Sequence, residues 1–228
     1  MRKDEFAARL ELDGWTLFFA CLEQREVDEA LVREMRRECV ERARQRLQLA
    51  LLANDPVVAG LRQLFRGTGT DPTRYRPSSE ALLRRVLKGN ELPAIHPLVD
   101  LNNCLSLDLA VPCCVMDAAT VEPPYVFRAG QAGESYESLK GPFNLEGKPL
   151  LVDRLGPCDA PISGSKRVMI GEDTQKVVLV AYLPGGLVSS AEAHAALERL
   201  LTLAPVARVL GSGSSPAEAE EPKQDEDR

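Results

Sequence analysis

The sequence has only two histidines among its 228 residues, and neither sits in a recognisable catalytic pattern. His96 precedes a proline at a helix start, where a histidine serves as a cap. His194 stands between two alanines of a last helical stretch and reads as a surface residue. A serine–histidine triad therefore lacks its partners, and no G-x-S-x-G elbow, phosphate-binding loop or zinc signature occurs. The six cysteines, Cys21, Cys39, Cys104, Cys113, Cys114 and Cys158, include no C-x-x-C pair, which argues against a structural metal. Most have apolar neighbours and read as small buried thiols, kept reduced in a cytosol, and the vicinal pair would point to opposite faces of a strand. No run approaches the roughly 18 apolar residues that a membrane helix needs. The opening MRKDEFAARLELDGW lacks the apolar core and cleavage site of a secretory signal. No internal repeat is visible. The expectation is a cytoplasmic protein with no metal, no cofactor and no membrane contact.

What is present looks globular, with 44% hydrophobic and 27% charged residues. Leu10 to Leu22 holds the β-prone run Trp15, Thr16, Leu17, Phe18, Phe19 after an Asp13-Gly14 turn signal, and reads as a strand or hairpin. From Asp28 to Ala53 the period changes. Leu31, Met35, Cys39, Ala43, Leu47 and Ala50 recur every three or four residues, as on a long amphipathic helix. Asp55-Pro56 starts a further helix that Gly67 can stop, and Ser78 is expected to cap a short one through Leu87. Pro97 opens another, ended by Pro112. Short strands are expected at Cys113–Met116, Tyr125–Arg128, Leu150–Arg154, Arg167–Ile170 and Lys176–Tyr182. Ser189 and Glu192 form a capping box for a last helix reaching about Ala204. The chain thus reads as one α+β domain of short strands and packed helices. Its parts are an N-terminal strand and helical part (1–67), an α+β core (68–205) and a disordered acidic tail (211–228).

Charge is unevenly placed. The net charge is −6, but Gly211–Arg228 alone holds six acids against two cations. Arg62–Asn90 holds seven cations against Asp71 and Glu80. A local basic stripe matters more for phosphate contact than global charge. Arg74, Arg76, Arg84 and Arg85 are its candidates for RNA contact; the alternative is a solvated face.

The densest information lies in LPAIHPLVDLNNCLSLDLAVPCCVMD, Leu92 to Asp117. Asp100, Asn102, Asn103 and Ser106 interrupt an apolar run. Buried amides and carboxylates need partners, or each costs roughly 1–3 kcal/mol. Such residues either tie the helix to neighbouring backbone or line a pocket. The segment resembles the tRNA-editing (B three-four) domain of the bacterial phenylalanyl-tRNA synthetase β-subunit, and more so its free-standing relatives. GTDPTRYRPSSEALLRRVLKGNELP (Gly69–Pro93) resembles the lead-in of those relatives. HPLVDLNN (His96–Asn103) is similar to a Val-Asp-Val-Thr-Asn stretch, and Pro112–Asp117 to Pro-Met-His-Ala-Phe-Asp. EDTQKVVL (Glu172–Leu179) is similar to Glu-Glu-Thr-Gln-Asn-Val-Leu-Leu. The likeness runs from about Thr68 to Pro184.

The resemblance implies hydrolysis of the ester joining a wrong amino acid to the 3′-terminal ribose of tRNA, in a pocket that positions a water without a metal. The implied partner is a mischarged aminoacyl-tRNA. Asn102 falls where the synthetase domain has a pocket threonine, and Asn103 matches its asparagine; these two are the candidate catalytic residues. Cys114 falls at its editing histidine, and Lys166 or a neighbour at a glutamate that reads the aminoacyl side chain. Asp100, Cys114, Ser165 and Lys166 are the candidate substrate-binding residues. Tyrosine selectivity therefore does not carry over. Relatives include deacylases that remove canavanine, an arginine analogue; a lysine in the pocket argues against so cationic a substrate, while Asp100, Asp117, Asp153 and Asp173 as acidic partners keep it open. Two other functions remain open: a non-catalytic tRNA- or RNA-binding module, and an amino-acid sensor using the same pocket.

Overall fold

The aromatic and aliphatic run after Gly14 fits a pleated, buried surface, and in the computed structural model of the chain it forms the long strand β2 (Trp15–Gln24). The structure describes residues 7–216. β2 lies inside a four-stranded sheet ordered β10 (Ala207–Ser215), β2, β9 (Lys176–Pro184), β3 (Cys113–Asp117). All its pairings are antiparallel, with Phe19 opposite Val180 and Cys114 opposite Val180 from the other side. Alternation sends successive side chains to opposite faces. Phe18 meets His194 of α5 (Ser190–Leu203) at 6.1 Å between ring centroids, while Phe19 stacks on Tyr125 at 5.6 Å. One face is thus packed by helices and the other by a second sheet.

That second sheet runs β1 (Ala8–Leu10), β4 (Tyr125–Ala129), β7 (Pro149–Asp153), β8 (Gly156–Asp159). Trp15 against Phe127 at 5.3 Å, and Phe127 against Tyr182 at 5.5 Å, continue the aromatic seam between the sheets. Each such pair adds about 0.5–1.5 kcal/mol beyond area burial. A small hairpin, β5 (Ser135–Ser138) with β6 (Gly141–Asn144), stands apart, joined to the rest by a bridge from Ser138 to Ser165. On the helical side, α4 (Pro97–Leu109) packs between α1 (Glu29–Arg46) and α5, and touches β3. The helices α2 (Pro56–Gly67) and α3 (Ser78–Leu87) complete the set, α2 against β9 and α3 against α1 and α4. No helix among the described residues is long and apolar enough to cross a membrane.

Several local expectations hold. Asp55 caps α2 with Pro56 in its first turn, the Ser189–Glu192 capping box is formed, and His96 Nδ1 accepts from Leu98 N at the start of α4. Others fail for tertiary reasons. Of Leu10 to Leu22, Trp15 onward is a strand as expected, but the hairpin alternative fails because β1 leaves to pair in parallel with β4 of the other sheet. The long helix stops at Arg46, where Leu47 turns extended. Ser78 is the first residue of α3 and not its cap; its N–H bonds to Pro161 O instead. Arg167–Ile170 is not a strand, since Ser165 caps a 3-10 turn at Lys166–Val168. The expected disordered tail starts too early. Gly211–Ser215 completes β10 opposite Leu17–Cys21, and Ser215 Oγ accepts from Ala8 N at 2.7 Å. Residues 217–228 of that tail lie outside the described residues.

Candidate functional site

The two sheets end in edge strands, β3 and β8, that face the same gap beside α4. This gap is a cavity of about 230 Å³, smaller than the roughly 300–1,000 Å³ of drug-sized sites. α4 contributes Val99, Asn102 and Asn103, spaced i, i+3, i+4 and therefore on one helix face. β3 contributes Cys114, β8 contributes Asp159, and the loop before the 3-10 turn contributes Ser163 to Ser165. Apolar side chains make most of the remaining wall. Leu139 at the β5–β6 turn and Met169 are 67% and 54% exposed, so two apolar lips stand at the opening.

The loop is fixed from behind. Arg167 Nη2 lies 2.9 Å from the buried Asp153 carboxylate, and Arg167 Nη1 donates to Thr120 O at 2.7 Å. The Tyr136 hydroxyl holds Ser163 O, and Ser165 Oγ accepts from Arg167 N. Two similarity-bearing segments meet through Thr174 Oγ1, which donates to Asp117 Oδ2 at 2.6 Å. That bond ties the end of β3 to the turn before β9.

Asn102 is buried, and its Nδ2 donates to Cys113 O at 3.3 Å. That partner is an acceptor, so the amide nitrogen must face it, leaving Oδ1 buried with no protein partner. Asn103 is half-buried on the same face, with no hydrogen-bond partner among the described residues. Asp159, 1% exposed, is the one carboxylate lining the cavity among the described residues. It accepts from Tyr182 Oη at 2.5 Å. Burial pushes its carboxyl up to about 7, against the opposing hydrogen bonds from Tyr182 and Cys114. Burial and then Asp159 itself push the Cys114 thiol well above its ordinary range. Such a thiol is a weak nucleophile and an inert wall.

The sequence candidates separate into three groups. Asn102, Asn103, Cys114 and Ser165 come together at the cavity. Asp100 does not: it lies on another face of α4, 2.9 Å from Arg36 Nη1, and accepts from Ile95 N, tying α4 to α1 and to its own lead-in. Lys166 is exposed in the 3-10 turn, outside the cavity lining. The charge that does line the wall, Asp159, has the opposite sign. No local pattern in Gly156-Pro157-Cys158-Asp159 marks it; pairing of β8 with β7 is what buries it. The third group is the arginines. Glu80 is fully buried, with Arg84 Nε at 2.8 Å, Arg62 Nε at 3.1 Å and Arg76 Nε at 3.4 Å. Three cations on one anion leave a surplus of positive charge around α3, whose first residue, Ser78, lines the cavity. Arg74 is exposed and stacks over Tyr75 at 5.1 Å, and Arg85, also exposed, bonds to Glu91 O.

Comparison with known proteins follows the same segment. A family model described as the B3/4 domain matches residues 60–202, more than half of the chain. Over 109 residues the chain is 31% identical to the phenylalanine–tRNA ligase β subunit of Bartonella henselae, covering 46% of this chain and 14% of that relative. The chain thus spans about a seventh of that relative's length. A crystal structure of an N-terminal fragment of the phenylalanyl-tRNA synthetase β-subunit from Pyrococcus horikoshii overlaps 87% of this chain and 48% of its own, at 16% identity and a TM-score of 0.44.

Proposed function

The chain belongs to the B3/4 domain family, and on that premise we propose that it is a free-standing aminoacyl-tRNA editing protein. It hydrolyses, in trans and in the cytoplasm, the ester that joins a misattached amino acid to the 3′-terminal ribose of tRNA. The observation that carries this reading is the cavity at which Asn102, Asn103, Cys114 and Ser165 converge. It has the size for one aminoacyl group and is open on one side. The name of the curated relative, a tRNA ligase subunit, supports tRNA as the partner.

An aminoacyl ester is already activated, so orientation and oxyanion stabilisation suffice for much of the rate. The Asn103 amide can donate to the ester carbonyl as charge builds on it, while its oxygen holds the attacking water. Asn102, anchored on Cys113 O, sets the angle of the helix face that presents it. Cys114 shapes the wall. Exposed Arg74 and Arg85, with the arginine surplus around Glu80, attract the phosphates of the acceptor end.

The test is single-turnover deacylation of a panel of mischarged tRNAs. At least one should be hydrolysed by the wild type and lost with Asn103→Ala, at unchanged melting temperature. If no aminoacyl ester is cleaved, the enzyme reading fails. One observation favours the second reading, a non-catalytic tRNA-binding module or amino-acid sensor: an inert thiol, Cys114, stands where the resembling synthetase domain has its editing histidine.

A further inference from the structure

The cavity wall is apolar apart from a few polar groups, and two buried ones are acceptors: Asp159, which accepts hydrogen bonds from Tyr182, Cys114 and Ala160 but faces no cation, and Asn102, whose Oδ1 has no partner. Asp159 is 1% exposed and Asn102 is 7% exposed, and both line the cavity. The titratable groups facing Asp159 are Cys113 and Cys114 of β3, Cys158 of its own strand, Tyr136 of β5 and Tyr182 of β9. None of them is a cation. Buried carboxylates in proteins are normally paired, because an isolated one gives up its hydration without compensation. The lysine that sequence comparison placed nearby, Lys166, is exposed and outside the lining. Asn102 adds a second acceptor to the cavity lining, since its Nδ2 is committed to Cys113 O and its Oδ1 has no partner.

We propose that Asp159 and Asn102 Oδ1 form the cation-reading end of this cavity, which receives a positively charged nitrogen donor of the ligand. The missing counter-ion of Asp159 comes with the substrate. Two parts of an aminoacyl group supply that chemistry, its α-ammonium and a basic side chain, and both satisfy the same two acceptors. The proposal rests on the reading of the cavity as an aminoacyl site, and it makes Asp159 a specificity residue. Tyr182, which donates to Asp159 Oδ2 at 2.5 Å, positions the carboxylate. Burial raises the Asp159 carboxyl to about 7, so an arriving cation displaces the proton from its protonated fraction.

The probes are non-hydrolysable 3′-aminoacylamido-adenosines, titrated calorimetrically into the full chain. One carries a free α-ammonium and a neutral side chain. A second carries an N-acetylated α-amine and an arginyl side chain. A third is N-acetylated with a neutral side chain, and adenosine is the fourth. At least one charged probe should bind ten-fold or more tighter than the third, with proton release at pH 7 shown by two buffers of different ionisation enthalpy. Asp159→Asn, which keeps the shape and removes the charge, should abolish both the preference and the proton release. Preference for the first probe alone assigns the α-ammonium; preference for the second assigns the side chain.

Equal binding of charged and neutral probes, or a preference that survives Asp159→Asn, overturns the proposal while leaving the aminoacyl site standing. No binding of any probe overturns both. If Asp159→Asn instead lowers turnover equally for charged and neutral substrates at unchanged KM, Asp159 acts on the water and the cation-reading role is wrong.

Discussion

Glu80 offers the sharpest test of how the electrostatics of this fold are built. Its side chain is 1% exposed, and those of Arg62, Arg76 and Arg84 are 16%, 37% and 29% exposed. Glu80→Gln keeps the volume and removes the only anion among the four. One charge-assisted hydrogen bond, Arg84 Nε to Glu80 Oε1 at 2.8 Å, loses its anionic acceptor and keeps at most a neutral amide oxygen; bonds of the charged kind contribute about 1.5–3 kcal/mol. The other two contacts are partly screened, and each is worth no more than about 1 kcal/mol. The total, about 3 kcal/mol, sits at the low end of the cost of breaking a buried pair. For a chain of this size that lowers the melting temperature by about 6–12 °C. Urea unfolding at pH 7 should show the loss in the midpoint at unchanged slope. The same substitution adds one positive charge to the patch, so tRNA binding at low salt should tighten or stay level as stability falls. Arg85→Gln, on an exposed residue, is the control and should change stability by less than about 0.5 kcal/mol. A Glu80→Gln protein that melts within 2 °C (about one measurement error at this size) would refute the idea that this carboxylate organises the arginines.

The other predictions are shorter. A chain ending at Leu210 loses the β10 segment paired with Leu17–Cys21 and the Ser215–Ala8 bond, and should melt well below one ending at Pro216; equal melting would mean the second half of β10 contributes nothing. Asp159→Asn should stabilise the protein at high pH. The wild-type carboxyl rises on folding from an ordinary 3.8 to about 7, so the folded state binds the extra proton and stability falls between those values as pH increases. The variant should therefore match the wild type near pH 4 and exceed it at pH 8, by up to about 4 kcal/mol; a wild type that is the more stable at pH 8 contradicts this. Arg74→Glu with Arg85→Glu should weaken tRNA binding and flatten its log–log salt slope by up to about 2, with the melting temperature unchanged. Asn103→Ala should cut single-turnover deacylation at least 100-fold, with no more than about 1 kcal/mol lost in stability.

What the sequence alone determined is local. Asp55-Pro56, His96-Pro97 and Ser189-x-x-Glu192 place three helix starts because capping is satisfied within four residues of chain. β2, β3, β4, β7 and β9 follow from short apolar runs between turn residues. The polar face of α4 was legible too, since Asn102 and Asn103 interrupt an apolar period. What the tertiary structure decided are the properties that depend on neighbours distant in sequence. Gly211–Ser215 has the composition of a loose tail, yet it is a strand because β2 offers an unpaired edge. Asp100 and Asn103 look alike as polar interruptions of one helix, but Arg36 of α1 takes the first and the cavity receives the second. Lys166 sits beside Ser165 in the chain, and the 3-10 turn sends it to solvent. Asp159 carries no local sign of importance. Its burial, its bond to Tyr182 and its place opposite Cys114 arise only when two edge strands from different sheets close on α4, because a carboxylate's surroundings are set by every element packed around it and not by its own strand.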